Sequence, residues 1–446
     1  MPSRSQRSGG RAARKAFCAE SPFRKAGLIY ASAGPSWPSR WPMATRLLAS
    51  IMVILGSLLA ACAPVGLQGS FPTTSPSPDA ALTAAFQQAL DQATRTASTA
   101  SPTASPTVTP LPPTPSPSAT AVRTPPALPG VFESSTLHKS SLPQTYIQDT
   151  CTYLKARWDA NNSPPGTVVM VIMYHSITED YNPLFSDGSQ VHNKDVVMMM
   201  EHAHELGFQT ITTQQLADFL DTNARIPQRS LLIIVDDRKR KEYYETHFVP
   251  FLERYGWTVT NAWISAKDTP EYLWKENQEV IEAGWVDPQA HGVVHNTPIG
   301  EASDDDYIRG ELYGSIEAIE ERFGKRPVGF IWPGGGFSKR AVELAREAGY
   351  RVGFTTNPRG PILFNWIPQA DQVDPAHTFW LPEMGAGDPR MTLPRYWSAD
   401  AAYRLDDVTA IGEQAAAEAQ KNKAVELEYY DIVCKNRTGE ILTQAP

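Results

Sequence analysis

VVMVIMY, residues Val168–Tyr174, is an unbroken apolar run of seven that ends in His175-Ser176. A strand with one wet face alternates polar and apolar residues; an unbroken run suits a strand covered on both faces, as in a parallel sheet. LLIIV at 231–235 repeats the signal and ends in Asp236-Asp237. Outward from these two, apolar runs at 258–264, 328–332 and 351–355 predict further strands. Helical patterns at 193–206, 242–255, 304–323 and 338–348 lie between them. Strands alternating with helices predict an α/β fold of parallel strands and crossover helices. Sites in such folds lie at the C-terminal ends of the strands.

Those ends carry polar residues. One strand ends in His175, the next in Asp236-Asp237, and a later one in Trp332-Pro333-Gly334-Gly335-Gly336. A segment VDPQAHGVVH, 286–295, adds His291 and His295. Taken singly these are weak signals: an Asp-Asp pair is commonly a surface turn, and His-x-x-x-His is commonly structural. Together they make a three-ligand set for Zn²⁺, two imidazoles and one carboxylate, with a position left open. Co, Ni or Fe suit the same donors. One aspartate then ligates while its neighbour stays free as a base. His175, on a separate strand end, reads either as a proton donor or as a hydrogen-bonded core histidine. His202 and His204 read as surface or packing residues, His138 lies in the tether region, and His192, His247 and His377 lack a partner motif.

The 446 residues carry a net charge of −8, which argues against nucleic acid as a partner. Ahead of the domain the chain reads as targeting and tether. LLASIMVILGSLLAA, 47–61, is short for a bilayer span of about 20 residues and precedes Cys62. It resembles a bacterial lipoprotein signal over 43–62, with Cys62 lipidated and the mature chain extracytoplasmic and held to the membrane; a plain signal peptide or short anchor is the alternative. Residues 1–42 read as an upstream extension before the initiator Met43, or as a long n-region. Residues 63–140 are rich in Ser, Thr, Pro and Ala and read as a disordered linker, with one weak helical patch at 79–94. The domain is expected over 141–440.

The motifs in their order resemble the polysaccharide deacetylases, the NodB-homology domain of carbohydrate esterase family four. IIVDDRKRKEYYETHFVPFLERYGWTVT, AHGVVH and FIWPGGGFSKRAVELAREAGYRVGFTT resemble that family's three motifs. VIMYHSI upstream of the Asp-Asp pair, and MTLPRYW with Arg395 late in the chain, resemble its circularly permuted branch, which includes poly-N-acetylglucosamine deacetylases. The resemblance implies a distorted parallel (β/α)7-type barrel. It implies a metal held by Asp237, His291 and His295, with Asp236 as general base and His175 as general acid. Gly334 N–H would stabilise the oxyanion, and Arg395 would orient or charge-balance Asp236. The implied reaction hydrolyses N-acetyl groups of an amino-sugar polymer, exopolysaccharide or cell wall.

Two positions depart from the family pattern. Arg238 stands where glycine usually follows Asp-Asp, so a positive φ there would strain it, and its long cation could occlude the site or compete for Asp236. Gly334 stands where the third motif usually has tyrosine. Arg238 therefore keeps open a degenerate relative that binds glycan or metal without turnover, and a hydrolase of another amide or ester is the third reading. Cys151 and Cys434 flank the domain and are expected to pair in an oxidising compartment, two free buried thiols being the alternative.

Overall fold

A computed structural model describes residues 123–179, 188–294 and 297–435. The signal segment, Cys62, the 79–94 patch and His295 lie outside the described residues.

Eight parallel strands form the central sheet: β1 (Val168–Tyr174), β2 (Gln209–Thr210), β3 (Arg229–Asp236), β4 (Val259–Trp263), β5 (Val286–Ala290), β6 (Gly329–Ile331), β7 (Val352–Phe354) and β8 (Tyr396–Trp397). The order across it is β7-β6-β5-β4-β3-β1-β8, and β2 pairs with the start of β3, at Ser230 and Leu231. Every residue of β1 is buried, as the unbroken apolar run requires. The path of seven curls until its ends meet: Leu393 bridges to Phe354 of β7, and Tyr396 pairs with Ile172 of β1. The barrel expected from the resemblance is thus present, and the segment that closes it carries Arg395.

The helices longer than one turn are α1 (Thr150–Trp158), α2 (Asn193–Glu205), α3 (Thr213–Thr222), α4 (Lys241–His247), α5 (Val249–Tyr255), α6 (Glu271–Glu282), α7 (Asp305–Phe323), α8 (Lys339–Ala348) and α9 (Leu405–Tyr429). Their ends follow local chemistry. Asp304 and Ser338 accept the first free amides of α7 and α8, and Gly324 and Gly349 end those helices in the left-handed region. The single helix expected over 242–255 is two. Pro250 has no N–H to continue α4, so the chain breaks at Phe248 and restarts with the proline in the first turn of α5.

Strand β5, VDPQA, is wholly buried although its sequence lacks an apolar run. Pro288 cannot donate to a ladder, and β5 pairs with β6 only through Ala290 and Phe330. The Gln289 side chain completes the join by accepting from the amides of Val328 and Gly329 at 2.9 and 2.8 Å.

Two findings concern the domain's margins. Residues 123–140, expected in the linker, pack on the domain: Trp366 Nε1 donates to Phe132 O at 2.8 Å, and Phe132 and Leu137 lie on the core. Apolar residues within the polar stretch account for the difference. Cys151 in α1 and Cys434 beyond α9 are disulfide-bonded across 283 residues of sequence, as expected.

Candidate active site

Four segments far apart in sequence bring their polar side chains to one end of the barrel. Asp236 is the last residue of β3, His175 follows β1, His291 follows β5, and Arg395 precedes β8. Asp236 and Arg395 are buried to 1 % and 0 % exposure. Arg395 Nη1 donates to both oxygens of Asp236 at 2.7 and 2.9 Å, and its Nε donates to Thr355 O at 2.7 Å. Burial alone would push the Asp236 carboxyl up. Arg395, then His175 and His291, reverse that and hold it well below the usual carboxylate range. The carboxylate is therefore ionised and fixed in direction.

His175 Nε2 lies 3.3 Å from Asp236 Oδ2, and its ring stacks on Trp397 with centroids 5.7 Å apart. The residue expected to donate a proton thus sits directly beside the one expected to accept it. Its Nδ1 is buried and has no hydrogen-bond partner among the described residues.

His291 is fixed by its other nitrogen. Nδ1 donates to Ile331 O at 2.8 Å, which leaves Nε2 with its lone pair free. Burial lowers the ring's pKa against the pull of Asp236, so the neutral, ligating form is favoured. The next residues are shaped by Glu311 of α7, which accepts from the amides of Val293 at 2.8 Å and Val294 at 3.0 Å. Gly292, just before them, has φ +76°, and a Cβ there would run into Glu311 Oε2. No side chain fits at that position.

The strain expected at Arg238 falls one residue earlier. Asp237 has φ +72°, while Arg238 is not among the positive-φ residues. A left-handed aspartate is tolerable because its short side chain bonds locally. The partners of Arg238 are residues other than Asp236. Its Nη1 donates outward to Thr269 Oγ1 at 3.0 Å and Asp268 Oδ1 at 3.4 Å. The turn is held from α6, where Asn277 Nδ2 donates to Lys239 O at 2.9 Å.

The cation beside Asp237 is Lys239, with Nζ 3.6 Å from Oδ2 and lying over the Tyr243 ring. Removing it would free the carboxylate that is expected to be a ligand. Lys239→Met is expected to tighten binding of a divalent ion about tenfold, since unit charges at about 4 Å interact by roughly 1–4 kcal/mol in this dielectric range. Competition against a chromophoric chelator at fixed pH checks this; an unchanged Kd removes Lys239 as a charge partner of Asp237.

The donor set is compatible with a metal at the two expected ligands within the described residues: a bare imidazole nitrogen at His291 and a partly exposed carboxylate at Asp237. Among the described residues no group of three His, Cys, Asp or Glu side chains is close enough to hold an ion. The third expected ligand, His295, lies outside them.

Gly334, expected to lend its N–H, has φ +57° in the turn Pro333–Gly335. The amides of Gly335 and Gly336 are taken by the carbonyls of Trp332 and Pro333, and Gly334 N–H is in neither pair. Trp397, Lys239 and Glu311 were not singled out in the sequence. Trp397 lies two residues beyond Arg395, a signal that was available; Glu311 carries none, because only the fold brings it to the histidine segment.

Residues 223–353 match the family model described as polysaccharide deacetylase. YxkH of Bacillus subtilis (strain 168), which carries polysaccharide deacetylase as a provisional name, is 22% identical over 189 residues, 42% of this chain and 64% of that protein. The chain therefore spans less than two thirds of that relative. Among solved structures, the Streptococcus pyogenes deacetylase PplD in complex with acetate is 16% identical, covering 54% of this chain and 98% of that one, with a TM-score of 0.43. IcaB from Ammonifex degensii is 14% identical, covering 58% and 99%, with a TM-score of 0.40.

Proposed function

We propose, from the match of residues 223–353 to the polysaccharide deacetylase family model and from the geometry of the site, that this chain is a metal-dependent hydrolase removing N-acetyl groups from an amino-sugar polymer. The observation that carries this reading is the buried Asp236, gripped by Arg395 and flanked by His175 and His291 at the strand ends. Asp237, His291 and His295 would hold the ion, most simply Zn²⁺. When bound it would polarise the amide carbonyl and acidify water.

The chain's own groups divide the remaining work. Asp236, ionised and held by Arg395, takes the proton of the attacking water. His175, beside it, gives a proton to the departing sugar nitrogen, so that acetate and a free amine result. Gly334 N–H lies on the turn after β6 and offers a hydrogen bond to the developing oxyanion. The lipoprotein-like segment ending at Cys62 supports an extracytoplasmic, lipid-anchored protein, and the Cys151–Cys434 bond is consistent with an oxidising compartment.

The test is acetate release from N-acetylglucosamine oligomers. Release should stop on chelation and return with Zn²⁺, or with Co, Ni or Fe. A protein that binds metal yet releases no acetate from these oligomers overturns the reading.

A further inference from the structure

His175 lacks the anchor that His291 has. The His291 ring is oriented through its Nδ1, which donates to Ile331 O at 2.8 Å. A histidine that works through one nitrogen is ordinarily aimed by a hydrogen bond at the other. His175 Nδ1 is buried and has no such partner among the described residues. Its Nε2 nevertheless lies 3.3 Å from Asp236 Oδ2. The ring plane is therefore held by something other than a bond at Nδ1.

The register of β8 against β1 supplies the hold. Along β1, Val169 and Val171 join the barrel's inner cluster with Ile234 and Phe354, while Ile172 and Tyr174 face the helices. Alternation carries Met173, and after it His175, onto the inner face. Trp397 pairs with Met173 in the parallel ladder, so its side chain leaves the sheet on that face, one step from His175. The indole and the imidazole lie 18° from parallel with centroids 5.7 Å apart, an offset stack. The segment that pairs beyond His175 passes the indole too. Ser176 N donates to Ser189 O at 3.1 Å, and a Cβ on Gly188 would stand 3.9 Å from Trp397 Cε3. Two residues before Trp397, Arg395 leaves the chain on the same side and grips Asp236.

We infer that Trp397 is a positioning residue for the general acid: its indole face fixes the plane of the His175 imidazole so that the Nε2 proton points at the departing nitrogen. The inference rests on the proposed deacetylase reading. The short strand that closes the barrel then aims both members of the acid–base pair, Asp236 through Arg395 and His175 through Trp397. A flat apolar face suits the task, because it restrains the tilt of the ring and leaves Nε2 free to exchange its proton. A misplacement of about 1 Å can cost about 10²-fold in rate.

The leaving group makes this role visible. An amide expels a nitrogen that takes the C–N electron pair and needs a proton as the bond breaks. The ester 4-nitrophenyl acetate expels a stabilised phenolate, which leaves with the C–O pair and needs none. Acetate forms in both cases, so only the amide depends on the aim of the acid.

Trp397→Leu and Trp397→Met each keep apolar bulk without a flat face, and Trp397→Phe keeps a flat face. The full chain loaded with Zn²⁺ is assayed on the N-acetylglucosamine hexamer and on the nitrophenyl ester. The Leu and Met variants should lose about 10–100-fold in kcat on the hexamer, with KM nearly constant, and stay within about threefold on the ester. The Phe variant should stay within about threefold on both. His175→Ala, run alongside, should show the same split, larger. Relaxation of the His175 ring in chain labelled with ¹³C-histidine gives a readout free of turnover. The ring should be rigid in the native chain and in Trp397→Phe, and mobile on the ps–ns scale in the Leu and Met variants. The inference is overturned if these two variants keep native kcat on the hexamer, lose both substrates alike, or leave the ring as rigid as in the native chain. A His175→Ala variant without the split overturns the acid assignment, and a native chain that releases no acetate from the hexamer overturns the deacetylase reading. In either case the mobility of the ring still decides whether Trp397 holds it.

Discussion

Asp236→Asn is expected to lower acetate release about 10²–10⁴-fold, the usual worth of a positioned general base, while a divalent ion stays bound. The asparagine keeps the shape of the side chain and its Oδ1 can still accept from Arg395 Nη1, but the buried guanidinium loses its counter-charge, so a stability loss of about 3–5 kcal/mol accompanies the change and the kinetics are read on protein shown to be folded. What it loses is the capacity to take a proton. Asp237 and His291, the two expected ligands within the described residues, are untouched, so metal affinity should change little. The loss should fall on kcat with KM nearly constant, because the proton moves only on the way to the transition state. Steady-state kinetics with metal content measured on the same samples decides it. A variant within a few-fold of native, with metal retained, would reduce Asp236 to a structural counter-ion of Arg395.

Much of this site was legible because its residues end apolar runs. VVMVIMY and LLIIV announce buried strands, and His175 and Asp236 follow from where those runs stop. What the pattern hid depends on contacts across long sequence separations. Strand β5 lacks an apolar run because Gln289 and Asp287 are buried polar groups with partners from other segments: Thr213 N donates to Asp287, and the amides of Val328 and Gly329 donate to Gln289. Positive φ at Asp237 cannot be read from residue type, since aspartate is compatible with either region, so the strain was expected at Arg238. Arg238 looked obstructive because its partner, Asp268, lies thirty residues on and joins it only in the fold. Glu311 reaches the histidine segment from a helix whose pattern is otherwise ordinary. Sequence thus shows which residues can do chemistry, while the residues that aim them appear only with the fold.

Arg395→Met carries an expected stability cost of about 3–5 kcal/mol at neutral pH, because it strands a buried carboxylate. The sign of its pH dependence separates this cause from lost packing. In the native chain the Asp236 carboxyl is held below its unfolded value, so the pair stabilises above the ordinary carboxylate range, and that stability is lost as pH falls through the folded pKa. Without the guanidinium, burial remains and pushes the carboxyl up instead. The variant is then penalised most where Asp236 is forced to stay charged. The gap between native and Arg395→Met in urea unfolding should therefore shrink as pH falls from 8 toward 5, whereas a packing defect would leave it constant. The double variant Arg395→Met/Asp236→Asn should recover part of the loss, since it removes the stranded charge while keeping the smaller cavity change. Additive costs in that cycle would mean that Arg395 serves Thr355 and the barrel closure, and that the Asp236 contact contributes nothing to the fold.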